Sequence, residues 1–243
     1  MTRSLFGSLL GVLLSVAVAD AVPFFGTDPG SGDDTLPAGT HPNADNAQAS
    51  FFNALSSKTT VTFGSSAQTV VPFTLGAING SIQGGGATQT TTINAGATDG
   101  FGGFPISGTV LLVMDTATFT ITMDSPVTAI GFYGIDIGDA GGALSLSLNG
   151  GAAIPVVPSV LNSGNVHYFG LTDLAGFSTI TFTNASGLTF DRFNFDDFTV
   201  GFAKEDPNLA ATPEPATLLL LGTSLAGMAG AAWKRRKAAR STD

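Results

Sequence analysis

From Thr59 onward the chain alternates apolar and polar residues with a period of two. In "TATFTITMDS", Ala117, Phe119, Ile121 and Met123 fall on one face, and Thr116, Thr118, Thr120 and Thr122 on the other. "STITFTN" sets Ile180 and Phe182 against Thr179, Thr181 and Thr183, and "ALSLSLNGG" groups Leu144, Leu146 and Leu148 ahead of an Asn149-Gly150 turn. Such alternation marks strands with one face in a core and one in water. "VTF", "VPFTL", "TVLLVM", "TAIGFYGI", "VHYFGL" and "FNFDDFTVG" supply further strands, most of them separated by Gly, Asn, Asp or Pro. The pattern predicts an all-β fold, an antiparallel β-sandwich of roughly eight to ten strands with threonine on its wet faces. Nothing alternates strands with helices as a parallel α/β sheet requires.

Helical spacing precedes the strands. Ala44, Ala47, Phe51, Ala54 and Leu55 predict one short amphipathic helix over 44–57, with Asn43 as N-cap and with Phe51 and Leu55 buried on the sheet. The sandwich is therefore expected over 44–204. Residues 22–43, rich in Gly, Pro and Asp, read as an irregular lead-in, and 205–212 as a spacer. Residues 79–103, rich in Gly and Thr, are open to two readings, a long loop or weakly patterned strands.

Two apolar runs break the alternation. Near the start, Arg3 precedes an apolar stretch from Leu5 to Val18, followed by the small-x-small sites Ala17-Val18-Ala19 and Ala19-Asp20-Ala21. A buried helix would show one polar face, which this run lacks, so 1–21 is expected to be a signal peptide cut after Ala19 or Ala21. The second run, Ala216 to Trp233, is eighteen residues without a charge. At about 1.5 Å per residue a helix of that length covers roughly 27 Å, enough to cross a hydrocarbon core. Trp233 stands at the boundary, and Lys234, Arg235, Arg236 and Lys237 follow as a membrane stop, ahead of a short tail, 238–243. The positive-inside rule keeps that basic end cytoplasmic and puts the body outside. Pro213, Glu214 and Pro215 cannot enter the helix and make an extended, accessible segment where it begins.

Composition supports export. Only 11% of residues are charged, 32 are Gly and none is Cys, so disulfides and thiolate metal sites are excluded. Between Asp20 and Thr212 only Lys58, Arg192 and Lys204 face sixteen carboxylates. A body so acidic is a poor partner for nucleic acid, whose phosphates need clustered Lys and Arg.

Candidate chemistry is sparse. The two histidines, His41 and His167, have no Cys or further His near them in sequence to complete a zinc set. No Gly-x-Ser-x-Gly elbow appears, and the glycine-rich "SIQGGGATQT" is not followed by the Gly-Lys-Ser/Thr of a phosphate loop. Acidic pairs remain. Phe193 and Phe195 share one parity while Phe198 and Val200 share the other, a change that predicts a β-bulge at Asp196-Asp197. A bulge re-aims side chains, so Asp196 or Asp197 could turn outward and join Asp136, Asp139 and Asp191 around calcium, which takes six to eight oxygens. Plain turn chemistry and a pair of catalytic carboxylates are the other readings of the same residues.

Pro213-Glu214-Pro215, the Gly- and Leu-rich span and the Lys/Arg cluster, in that order over 213–237, resemble the PEP-CTERM sorting signal. A sortase signal would need Leu-Pro-x-Thr-Gly before the span, and a GPI signal would lack the basic end. The resemblance implies handling by an exosortase, a membrane-embedded transpeptidase-like enzyme of bacteria that make extracellular polysaccharide. It implies an export route in which the protein is first anchored in the inner membrane with its body periplasmic, then released to the cell surface or beyond. "TAIGFYGIDIGD" and "GLTFDRFNFDDFTVG", within 127–201, also resemble a pattern of PEP-CTERM ectodomains, which implies a jelly-roll-like sandwich. Many such segments read Asp-x-Phe-Gly-x-Asp-Asp-Phe; here Asn194 replaces the glycine and Phe195 precedes the Asp pair. The expected role is a non-enzymatic surface or matrix protein. The alternative is a lectin-like module, with or without calcium, for secreted polysaccharide, against which stands the scarcity of Tyr and Trp: Tyr133, Tyr168 and Trp233 alone.

Overall fold

The computed structural model describes residues 21–30, 32, 40–63, 70–84, 89–94, 97–114, 118–139, 143–156, 161–184 and 192–204. Residues 1–20 of the expected signal peptide, the spacer, Pro213-Glu214-Pro215, the 216–233 span and its basic stop all lie outside the described residues. Among the described residues no helix is long and apolar enough to cross a membrane.

The described chain is mostly β. In order it forms β1 (Val22–Asp28), α1 (Pro42–Asn53), β2 (Leu55–Val61), β3 (Val70–Leu75), β4 (Ile78–Gly84), β5 (Gln89–Thr92) and β6 (Val110–Met114). Then follow β7 (Thr118–Ile135), β8 (Leu144–Leu148), β9 (Ile154–Pro155), β10 (Val166–Asn184) and β11 (Phe193–Ala203). All eleven strands join one hydrogen-bonded sheet, and every pairing is antiparallel.

Two long strands, β7 and β10, make that sheet fold over. They pair along both their halves, but the register slips between Thr172 and Phe177 and again between Phe177 and Thr179, opposite Pro126 of β7. Bulges of this kind bend a sheet. Beyond the bend, the N-terminal half of β7 pairs with β4, and the C-terminal half of β10 with β8. On the near side, β7 pairs with β11 and β10 with β1. One leaf is therefore β3-β4-β7-β10-β8-β9, the other β11-β7-β10-β1 with β2 and β6 on the far edge of β11.

The main core lies between the leaves, where the predicted alternation holds. Phe119, Ile121 and Met123 are buried, as are Ile180 and Phe182, while the intervening threonines are exposed or half-buried. At its centre Phe119 stacks on Phe182 with ring centroids 4.3 Å apart, and Phe132, Phe195 and Phe198 pack around that pair. Asn149 and Gly150 take φ of 50° and 73°, the left-handed pair of a tight hairpin turn after β8.

Three expectations are corrected. The lead-in is not wholly irregular: Val22–Asp28 forms β1, an edge strand in which Pro23 is tolerated for want of a second neighbour. The helix ends at Asn53 rather than 57, because Leu55 already pairs with Ala203 and the chain must extend to reach β11. Its N-cap position is His41, without a side-chain cap, and Asn43 lies inside the helix. In the 79–103 segment, β4 and β5 are ordered strands, followed by a loop across 97–109.

Candidate functional site

The outward face of the leaf containing β1 is where polar chemistry collects. Three cross-strand rows run over it. Asp28, Val166, Ile135 and Asn194 are in register; next come Gly26, Tyr168, Tyr133 and Asp196, and then Phe24, Gly170, Gly131 and Thr199. Helix α1 covers the part over β1, β10 and β7, and the 97–109 loop covers the part over β11. The two covers meet where His41 stacks on Phe104, with centroids 6.0 Å apart.

Glycine makes room for the helix. Phe51, fully buried, lies over Gly131 and Gly170, where an added Cβ would come within 2.6 Å and 2.7 Å of its ring. Phe24 and Tyr168 flank that ring at centroid distances of 5.7 and 6.0 Å. The helix start is satisfied from another element. The Asp28 carboxylate at the end of β1 accepts the N–H of Asn43 at 3.1 Å and of Ala44 at 2.9 Å, a cap placed by the sheet instead of by the preceding residue.

The predicted bulge is present in β11. Asp196 pairs with Tyr133 and Thr199 with Gly131, so three residues advance against two, and Asp197 takes φ of 50°. The extra residue is what allows Phe193, Phe195, Phe198 and Val200 all to face the main core despite their split parity. The expected outward turn of the acids is only partly realised. Asp196 is fully buried and Asp197 half-buried. Both hold the 97–109 loop: Asp196 Oδ2 accepts the N–H of Ile106 at 2.8 Å and of Ser107 at 2.9 Å, and the Ser107 hydroxyl donates to Asp197 Oδ1 at 2.6 Å. Asp196 Oδ1 accepts the N–H of Asp197 at 2.7 Å.

Burial, reinforced by the neighbouring Asp197 charge, pushes the Asp196 carboxyl up to about 7, against the pull of its three N–H donors. Asp197 is raised too, by burial, with the Ser107 hydroxyl opposing. The Tyr133 hydroxyl donates to Asp45 Oδ1 at 2.8 Å, and burial together with that carboxylate drives its ionisation far upward.

The same loop is fixed at its tip. Asp99 Oδ1 accepts the N–H of Phe101 and of Gly103, each at 2.9 Å, while Oδ2 forms a 3.2 Å ion pair with Arg192. The Arg192 guanidinium lies 4.4 Å from the centre of the Phe101 ring, which is 57% exposed.

Of the other candidate calcium residues, Asp136 has a structural partner of its own. Asp136, buried in a left-handed conformation at φ 57°, accepts the N–H of Gly164 at 2.6 Å and borders Gly102. Asp139 is half-buried on the segment beyond it, and Asp191 lies outside the described residues. Among the described residues no three of His, Asp and Glu converge to hold a metal ion, so the expected five-carboxylate set is not assembled from its four described members. His167 is a core residue. Its Nδ1 accepts from the Thr27 hydroxyl at 2.7 Å, its Nε2–H donates to the Val156 carbonyl at 3.0 Å, and burial lowers its pKa to about 4. Sequence reasoning missed Asp28, Asp99 and Ser107. The Asp99-Gly100 pair carried a turn signal, whereas nothing local marked Asp28 as the cap of a helix fifteen residues on.

Comparison with known proteins turns attention to the other end of the chain. The profile of the PEP-CTERM protein-sorting motif matches residues 211–237, two residues longer on the N-terminal side than the segment recognised by its prolines. The chain thus carries the sorting signal of exported proteins. It is a PEP-CTERM domain-containing protein. No curated protein matches it. Among solved structures, the carbohydrate-binding module TmCBM61, determined with β-1,4-galactotriose, is similar at 15% identity and a TM-score of 0.23, over 51% of this chain and 88% of that one.

Proposed function

We propose that this protein is a non-catalytic component of the cell surface or extracellular matrix. It is delivered by a signal peptide over 1–21, held in the inner membrane by 216–233 with its body periplasmic, and cut near Pro213-Glu214-Pro215 by an exosortase-type enzyme. The observation that carries this reading is the PEP-CTERM match at 211–237. The cargo is a folded-over antiparallel sheet, read here as a jelly-roll-like sandwich, whose polar residues serve to fasten a helix and a loop onto one leaf. Surface labelling of intact cells with a membrane-impermeant reagent tests delivery: the body is expected to be labelled, and protection of all of it would contradict the proposal.

A lectin-like second reading draws on one surface feature. Phe101 is an exposed aromatic residue with the Arg192 guanidinium over its ring and Asp99 paired to that guanidinium, and sugar sites combine an aromatic platform with polar groups. Glycan-array binding that is lost on Phe101→Ala would favour this role. Failure on every glycan would leave the matrix role.

A further inference from the structure

Among the described residues the outer edge of β1 pairs with no strand, and its hydrogen-bonding pattern is self-complementary. In an antiparallel strand, alternate residues direct both backbone groups to the same side. Three observations fix which residues of β1 face outward. Asp136 N–H bonds to Asn165 C=O, so the odd residues of β10 face β7 and the even ones, from Val166 to Thr172, bond to Asp28, Gly26, Phe24 and Val22. Pro23, which has no N–H, falls on the other parity, where none is required. The Thr27 carbonyl, also of that parity, is taken by the Asn43 side chain at 3.0 Å. Pro23, Phe25 and Thr27 therefore point their backbone groups away from β10, and among the described residues no other strand lies there.

We propose that a second copy of this chain adds to β1 through the same edge, antiparallel, with Phe25 opposite Phe25 of the partner copy. In that register the two Phe25 residues exchange two N–H···O=C bonds, and the Thr27 N–H of each copy donates to the Pro23 carbonyl of the other. The donor that Pro23 lacks would have faced the Thr27 carbonyl, the one outward carbonyl already satisfied by Asn43. No acceptor is left waiting. Shifting the register to either side sets Phe25 against Thr27 or Pro23 and wastes one of its bonds.

The surroundings suit a strand. An open groove of about 670 Å³ runs along this edge, between β1 and Asn43, Asn46 and Ser50 of α1, and no charged side chain among the described residues lines it. Phe25 is 58% exposed and Val22 52%, large apolar residues that a neighbouring strand would cover. Other edges are guarded in the ways proteins use against pairing. β2 carries Lys58 at its middle, and β5 and β9 are four and two residues long.

The test uses the cysteine-free full chain in detergent. Phe25→Cys places one thiol on the two-fold axis, where a hydrogen-bonded pair sets Cα atoms about 5.5 Å apart, inside the disulfide range. Mild oxidation is expected to convert Phe25→Cys to a disulfide dimer while Val70→Cys, on the exposed edge of β3, stays monomeric. Phe25→Pro removes the outward N–H without touching the bonds to β10, and is expected to abolish the wild-type dimer in sedimentation while far-UV circular dichroism is retained. Wild-type chain that is monomeric at all concentrations, Phe25→Cys that oxidises no faster than Val70→Cys, or a dimer indifferent to Phe25→Pro would each overturn the proposal.

Discussion

Asp196 gives the body a pH dependence opposite in sign to that of most carboxylates. In the folded chain, burial and the adjacent Asp197 raise its pKa from 3.8 to about 7, whereas in the unfolded chain it returns to the ordinary range. Between those values the folded state binds the extra proton, so stability is fully present below about pH 4 and is lost as pH rises toward about 7. A gap of roughly three pH units, at 1.36 kcal/mol each, sets the effect at about 4 kcal/mol. Three N–H donors, from Ile106, Ser107 and Asp197, work the other way by favouring the ionised form. Urea unfolding followed by far-UV circular dichroism across this range reads the outcome. His167, its pKa lowered by burial to about 4, adds a slope of the opposite sign between about pH 4 and 6.5, so the Asp196 contribution is read as the difference between the wild type and Asp196→Asn. Asp196→Asn stays neutral and still offers a carbonyl to Ile106 and Ser107. The unfolding free energy of the wild type minus that of Asp196→Asn is expected to fall as pH rises from about 4 to about 7. A difference that rises with pH would show that the three donors outweigh desolvation, and a difference that does not change with pH would place the titration elsewhere.

Other consequences concern how the leaf is covered. Phe51→Ala removes the ring seated on Gly131 and Gly170 and is expected to cost about 3–5 kcal/mol in the same unfolding assay. Gly131→Ala should also destabilise, since the new methyl meets that ring. Asp28→Ala leaves the Asn43 and Ala44 N–H groups without their acceptor and should cost about 1 kcal/mol, with faster hydrogen exchange confined to the first turn of α1. Calcium is expected to leave the melting midpoint of the body unmoved, because both oxygens of Asp196 and one each of Asp136 and Asp197 accept from N–H and hydroxyl donors; a clear rise would favour the calcium reading around Asp191.

What could be read from sequence was whatever is periodic or consecutive. The threonine-phenylalanine alternation located β7 and β10, and the parity break around Asp196-Asp197 located the bulge, because both are properties of neighbouring residues. The direction of Asp196 was not legible: it is set by Ile106 and Ser107, ninety and eighty-nine residues away, which claim its carboxylate for the loop. Strand β1 was hidden for a similar reason. "VPFFGTD" carries Pro and Gly, which locally signal irregular chain, yet Pro23 sits on a free edge and Gly26 lies where the helix backbone at Asn43 comes close. The end of α1 was misplaced because Ala54 and Leu55 keep helical spacing while pairing with β11 decides their conformation.

The central claim is that the tail is an address removed in transit, and the mass of the mature protein tests it most directly. Intact-mass measurement should be made on protein from cells that have the exosortase-type processing enzyme and from cells that lack it. The expected result is a chain shortened near Pro213-Glu214-Pro215 in the first and one retaining 216–243 in the second. An identical, intact tail in both would contradict the claim.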